Sequence, residues 1–392
     1  MVRALLLALC CLAAPAWAEH GHDHGQAKPA LAMSAIFDGA GRLWRAEVRE
    51  GHVWLSRSDD KGRGFSAPVR VNGRPDKIAA DGGNGRRITI VSSQHIYISW
   101  TQSLGKPYTG NVRFARSLDG GQSFSEPITV NDNREVISHR FDSLLVDGQG
   151  RIHLAWLDKR DASAVRASGQ AYVGAALYHA VSEDGGNSFS PNRRLAAHSC
   201  ECCRVAMALD RDGVPLVLWR HVFGRNVRDH ALLKLDGKSG LQRVSHDQWE
   251  VDACPHHGPA LAVAKDGARH LAWFNNAPER HGLFYARMEA DGAQSPSLPF
   301  GDYDAQAAHP GVAAVGARVV LVWKEFDGER AVARAMVSPD GGRNWQPPRR
   351  IADSAGASDH PLPIVDGETV YLSWNTAREG HRLLPIAPES AP

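Results

Sequence analysis

The chemistry available to this chain concentrates in sulfur and imidazole. Four cysteines fall in two short runs, His-Ser-Cys-Glu-Cys-Cys-Arg at 198–204 and Asp-Ala-Cys-Pro-His-His-Gly-Pro at 252–259. Thiolate and imidazole are ligands of soft and borderline metals, so Cys200, Cys202, Cys203, Cys254, His256 and His257 form a primary ligand pool. Their spacing is not that of a zinc finger. Copper, as Cu(I), fits such a set best, with zinc as second choice. A further tract, Glu19-His20-Gly21-His22-Asp23-His24, has the alternating-histidine composition of a metal-capturing segment or a solvated tail. A disulfide is the competing use of the cysteines. Cys202 and Cys203 pair poorly with each other because adjacent residues strain the bridge. Cys200 or Cys202 to Cys254 is the natural bridge.

These residues are far apart in sequence, and a repeat brings them together. Four segments share Ser-x-Asp-x-Gly-x-x-aromatic: Ser58 to Phe65, Ser117 to Phe124, Ser182 to Phe189 and Ser338 to Trp345. In each, Asp accepts backbone N–H bonds in a tight turn, Gly supplies an unusual backbone shape, and the aromatic plugs the hairpin. Strands ending in Trp100, Trp156, Trp219, Trp273, Trp323 and Trp374 run in phase with this turn, at spacings of 56, 63, 54, 50 and 51 residues. Periods near fifty mark propeller blades. The chain is therefore expected to be all-β, a β-propeller of four-stranded blades. Seven units can be counted, with Glu47 in the Trp position of the first and no clear outer strand in the last; six blades is the alternative.

The boxes resemble those of the sialidase-like Asp-box (BNR) superfamily. That resemblance implies a propeller, usually of six blades, and offers a glycan hydrolase or glycan-binding reading. A sialidase carries an Arg-Ile-Pro motif, three arginines for the substrate carboxylate, an Asp acid/base and a Tyr–Glu pair. Arg87, Arg140 and Arg204 stand near strand starts where the arginine cluster would be. No Arg-Ile-Pro segment precedes the first box, and Tyr303 has no evident glutamate partner. Fold alone does not assign the activity.

The phase of the repeat predicts where chemistry converges. The residues leading into each innermost strand rim one funnel. Counting back from the Trp, His139, Cys202 and His256 each fall seventeen residues before it, and His309 and His360 fall fourteen before it. Five units thus carry His or Cys in one structural slot, with His139, His309 and His360 as second-rank ligands.

The rest bounds the setting. Arg3, the apolar run Ala4 to Ala14 and Ala16-Trp17-Ala18 read as a signal peptide, residues 1–18. Residues 19–29 form the His-rich segment and 30–392 the propeller. Cleavage near Ala18 predicts a periplasmic or secreted protein, and no stretch is long enough for stable membrane insertion. Forty-five basic residues against 43 acidic ones give no expectation of a nucleic-acid partner. The sequence thus points to an exported metal-binding propeller for copper handling or tolerance. The alternatives are a sialidase-like glycan hydrolase, a glycan-binding propeller, or a platform for a periplasmic protein partner.

Overall fold

The computed structural model describes residues 31–80, 85–168 and 174–387. The segment read as a signal peptide, and His20, His22 and His24, lie outside them. The described chain forms seven antiparallel sheets arranged as a propeller. Each sheet is one blade, and its strands are named A to D from the axis outwards. Six blades have four strands; the seventh has three, Leu362–Asp366, Thr369–Thr376 and Gly380–Pro385. The missing outer strand is the one the sequence leaves unclear. Strand A of each blade packs beside strand A of the next. That of blade seven packs beside Ser34–Phe37 of blade one, which closes the ring.

Each blade is a flat, two-sided sheet that cannot bury its faces alone. Seven apolar clusters fill the seven interfaces between neighbouring blades. The strand-B tryptophans are buried and are among the largest side chains in these clusters. A buried indole N–H needs an acceptor. Trp273 donates to Asp247 at 2.6 Å and Trp323 to Glu325 at 2.7 Å. Where Glu47 replaces the tryptophan in blade one, Trp44 donates to Asp38 instead. The seam between blades seven and one is the thinnest, with three buried apolar residues, Phe37, Leu43 and Tyr371, against nine or more in each other cluster.

All four Asp boxes sit at C–D turns. In the second, Ser117 Oγ donates to Asp119 Oδ1 at 2.7 Å and accepts from Gly121 N at 2.8 Å; Asp119 Oδ1 accepts from Gln122 N and Ser123 N at 3.0 Å. These bonds, that of Ser123 Oγ first, hold the Asp119 carboxyl down at about 2.

Several histidines are buried or half-buried without a charge partner strong enough to offset desolvation. Burial pushes His139, His221, His270 and His381 down to about 4, and His179 to about 3. In the unfolded chain each titrates near 6.5. The unfolded state therefore binds more protons between pH 6.5 and 4, and stability falls as pH falls through that window. A denaturant midpoint that drops steadily from pH 7 to pH 4 is the expected result. A flat profile over that range would show that these imidazoles are not neutral in the fold.

Candidate functional site

Residues from all seven blades meet in a cavity of about 260 Å³ on the axis. Its wall is largely apolar, including Met33, Met207, Leu261 and Ile364, with Arg87 from blade two, Arg204 from the start of blade four, and Asp359 and His360 from the start of blade seven. Arg87 Nε donates to the Asp142 carbonyl at 3.0 Å. Arg204 Nη2 donates to the Pro310 carbonyl at 2.8 Å. Arg204 reaches this place because residue 258 is glycine; a Cβ there would stand 2.1 Å from Arg204 Cγ. Burial, followed by the charge of Arg87, lowers Arg204 to about 10, so it stays protonated at neutral pH. Asp359 accepts from His360 N at 2.8 Å and Met33 N at 3.0 Å. Desolvation still raises its pKa against the charges of Arg86 and Lys324, the latter itself lowered by burial. Two guanidiniums against one lining carboxylate favour an anion.

Beside this cavity three imidazoles stack. The ring centroids of His309 and His360 are 3.5 Å apart, and those of His257 and His309 are 4.5 Å apart. His257 also lies 4.0 Å from the Phe274 ring. Desolvation, then Arg220 and Arg204, lowers His257 to about 3, and burial takes His309 and His360 well below the usual range. Neutral rings can stack where imidazolium ions would repel. His257 Nδ1 and His360 Nδ1 are buried with no hydrogen-bond partner, and of the two residues His360 lines the cavity. The stacked rings do not converge on one point as a metal cage does.

The thiols form a separate, buried cluster between blades three and four. Cys200 Sγ is 3.7 Å from Cys202 Sγ and 3.4 Å from Cys203 Sγ; Cys202 and Cys203 are 4.0 Å apart. Cys200 N donates to the Arg220 carbonyl at 3.0 Å, which ties the loop to strand B of blade four. Hydrogen bonds from Cys202 and Cys203 pull the Cys200 thiol well below its usual range, and the charges of Arg220 and Arg228 add to this. Burial pushes Cys203 up to about 12, and the shared bond to Cys200 raises Cys202. Among the described residues this trio is the one group of metal-ligand atoms lying within 4.8 Å of one another.

The six-donor pool expected from the sequence is therefore divided. Cys254 is an exposed free thiol, 3.7 Å from Glu201 Oε1. All four described cysteines are free, so no bridge joins Cys200 or Cys202 to Cys254. His256 is exposed, and His257 joins the imidazole stack. His139 is buried in blade three, with Nδ1 3.5 Å from Asp158 Oδ2. Of the three arginines, Arg87 and Arg204 share the cavity, whereas Arg140 lies over the Phe141 ring at 4.8 Å. Tyr303 donates to Asn276 at 2.6 Å and is not among the described cavity residues. The sialidase pair of tyrosine and glutamate is thus not assembled there.

Sequence reasoning missed Arg220 and Lys324, each the residue directly after a strand-B tryptophan. The same position holds Thr101, which bonds the buried Asp142, Phe274, which stacks on His257, and Asn375, which bonds the Leu31 carbonyl. Side chains alternate along a strand, so the repeat that buries Trp turns the next residue elsewhere. That alternation was readable.

No protein-family model matches the chain, and no curated protein matches it. Solved structures match its fold. A family PL25 polysaccharide lyase, an ulvan lyase bound to -[GlcA(1-4)Rha3S]-, is similar over 90% of both chains at 11% identity and a TM-score of 0.56. The BP39L lectin from Burkholderia pseudomallei is similar over 91% of this chain and 98% of its own, at 11% identity and 0.55. An intramolecular trans-sialidase from Ruminococcus gnavus is similar over 79% and 95%, at 11% identity and 0.50. The protein is a seven-bladed β-propeller. Among the described residues, no helix is long and apolar enough to cross a membrane.

Proposed function

We propose that this propeller binds an acidic glycan, with a sugar carboxylate held by Arg87 and Arg204 in the axial cavity. The observation that carries this is the pairing of two guanidiniums in one cavity to which every blade contributes. Guanidinium is the group best suited to carboxylate recognition. A volume of about 260 Å³ lies just under the usual range of ligand pockets. It suits one sugar unit, with the chain leaving by the funnel. The neutral His360, which lines the cavity, supplies a partner for a hydroxyl. Propellers of this architecture serve as lectins and polysaccharide lyases, and the ulvan lyase holds a GlcA-containing ligand. Binding fits better than hydrolysis. A general base works best with a pKa near the operating pH, and the three imidazoles lie far below it.

Titration calorimetry with glucuronate oligosaccharides and neutral dextran oligosaccharides tests the reading. The acidic ligand alone is expected to bind. A charge-assisted bond contributes ~1.5–3 kcal/mol, so Arg204→Gln should weaken binding roughly tenfold to a hundredfold. Arg87→Gln, checked for an unchanged circular dichroism spectrum, should do the same. Equal binding of dextran, or acidic-glycan affinity unchanged in both variants, would overturn the proposal.

A further inference from the structure

We propose that Cys200, Cys202 and Cys203 form a three-thiolate site for one Cu(I) ion, set between blades three and four and separate from the axial cavity. The sulfur triangle has the right size. A point equidistant from the three sulfurs lies about 2.2 Å from each, against the ~2.3 Å of a thiolate–metal bond to zinc. Metal–sulfur bonds of that length place an ion near the plane of the sulfurs.

The charges around the trio ask for an anion. Arg228 is buried, and its Nη1 lies 3.3 Å from Cys200 Sγ. Arg220 is buried as well, and its nitrogens reach only carbonyls, those of Arg228 at 2.9 Å, Phe274 at 2.6 Å and His257 at 3.2 Å. Among the described residues no carboxylate lies within 4.0 Å of Arg220, and the one near Arg228 is the exposed Asp252, at 4.0 Å. Two buried guanidiniums with so little carboxylate are costly. Three thiolates around Cu(I) carry a net charge of two negatives, which these guanidiniums balance. The ion binds the sulfurs as thiolates, the thiol protons leave to water, and no electron moves.

A trio of small core hydrophobes is the competing explanation, since free cysteine often packs that way. Phe141, Leu177 and Trp219 do pack in the same cluster. An apolar trio, however, gains nothing from a guanidinium 3.3 Å from one sulfur. Three buried sulfurs and soft ligands select Cu(I) over Zn(II), which takes four ligands. The remaining described cysteine, Cys254, is exposed, beside Glu201 and a neighbour of Cys202, but it lies outside the group whose sulfurs are all within 4.8 Å of one another.

The full chain, purified anaerobically under reductant, would be loaded with Cu(I) against a competing chelator. One copper per chain is expected, with X-ray absorption showing three sulfurs at about 2.2–2.3 Å. Burial already shields the trio in the native chain, so alkylation is done in mild denaturant, where copper should protect Cys200, Cys202 and Cys203 and leave Cys254 reactive. Cys200→Ser should weaken copper binding by at least about a hundredfold, the upper end of what outer-shell changes cost, and Cys254→Ser should leave it unchanged. The protection experiment uses the unaltered chain, so it stands even if Cys200→Ser does not fold. No copper retained by folded protein with intact thiols, equal alkylation with and without copper, or copper lost on Cys254→Ser would each overturn the proposal.

Discussion

Replacing Trp323 with alanine is expected to lower the free energy of unfolding by ~3–5 kcal/mol, the range for a large buried aromatic cut to a methyl. Trp323 is fully buried on strand B of blade six and packs edge-on against Phe300 of blade five, with centroids 5.2 Å apart. Its loss would leave a hole in the cluster that joins the two blades. It would also remove one donor from the Glu325 carboxylate, which then keeps Asp302 N at 3.0 Å and the Arg334 guanidinium. Trp323→Phe separates the two effects. It keeps most of the ring and loses the N–H, so it should cost only ~1–3 kcal/mol. Urea unfolding of both variants measures the difference. An alanine variant no less stable than the phenylalanine one would show that packing at this interface does not hold the blades together.

A comparable loss is expected from a single methyl group at Gly342. Its φ is +83°, which L side chains resist at about 1–2 kcal/mol. The added Cβ would stand 1.9 Å from Tyr285 Oη. That tyrosine cannot swing away, because it is buried and its hydroxyl is bonded to His270 Nδ1 at 2.7 Å. Overpacking of this kind adds ~1–3 kcal/mol, for roughly 3 kcal/mol in all. Gly316→Ala is the control. Its φ is +57° with nothing within 4 Å of the added atom, so the backbone penalty alone applies. If the two alanine variants melt together, the Asp-box glycine serves turn conformation only and not the close approach of the neighbouring blade.

The propeller was legible because its signals are local and repeated. Each box fixes a C–D turn through Ser, Asp and Gly, and each Trp fixes the phase of strand B. Together they give seven blades, including the outer strand that blade seven lacks. The same count placed His309 and His360 together, but in blade five it picked the exposed His256 rather than His257, which joins the stack. The direction of each side chain did not. Strand A of blades three and six is irregular, with register shifts opposite Ala155–Leu157 and at Ala308–Gly311. Phe141 and His309 take φ of +62° and +54° there. A bulge re-aims side chains without changing the spacing from the Trp. His139 therefore turns to Asp158 in its own blade, and Arg140 lies over Phe141. Cys254 and His256 sit on an irregular loop before blade five, where counting gives position along the chain but not depth. Arg228 carried no repeat signal, since its role depends on sulfurs twenty-five and more residues away.

The thin seam between blades seven and one ties the state of the ring to occupancy of its centre. Among the described residues no strand is exchanged across it. It is held by Phe37 against Tyr371, by Met33 N on Asp359, and by Asn375 on the Leu31 carbonyl. Ala32 and Met33 wall the axial cavity on one side of that seam, and Asp359 to Ile364 on the other. An open ring has no such cavity. A molecule that binds there recognises the shut form alone, and by mass action it acts as the clasp of the circle.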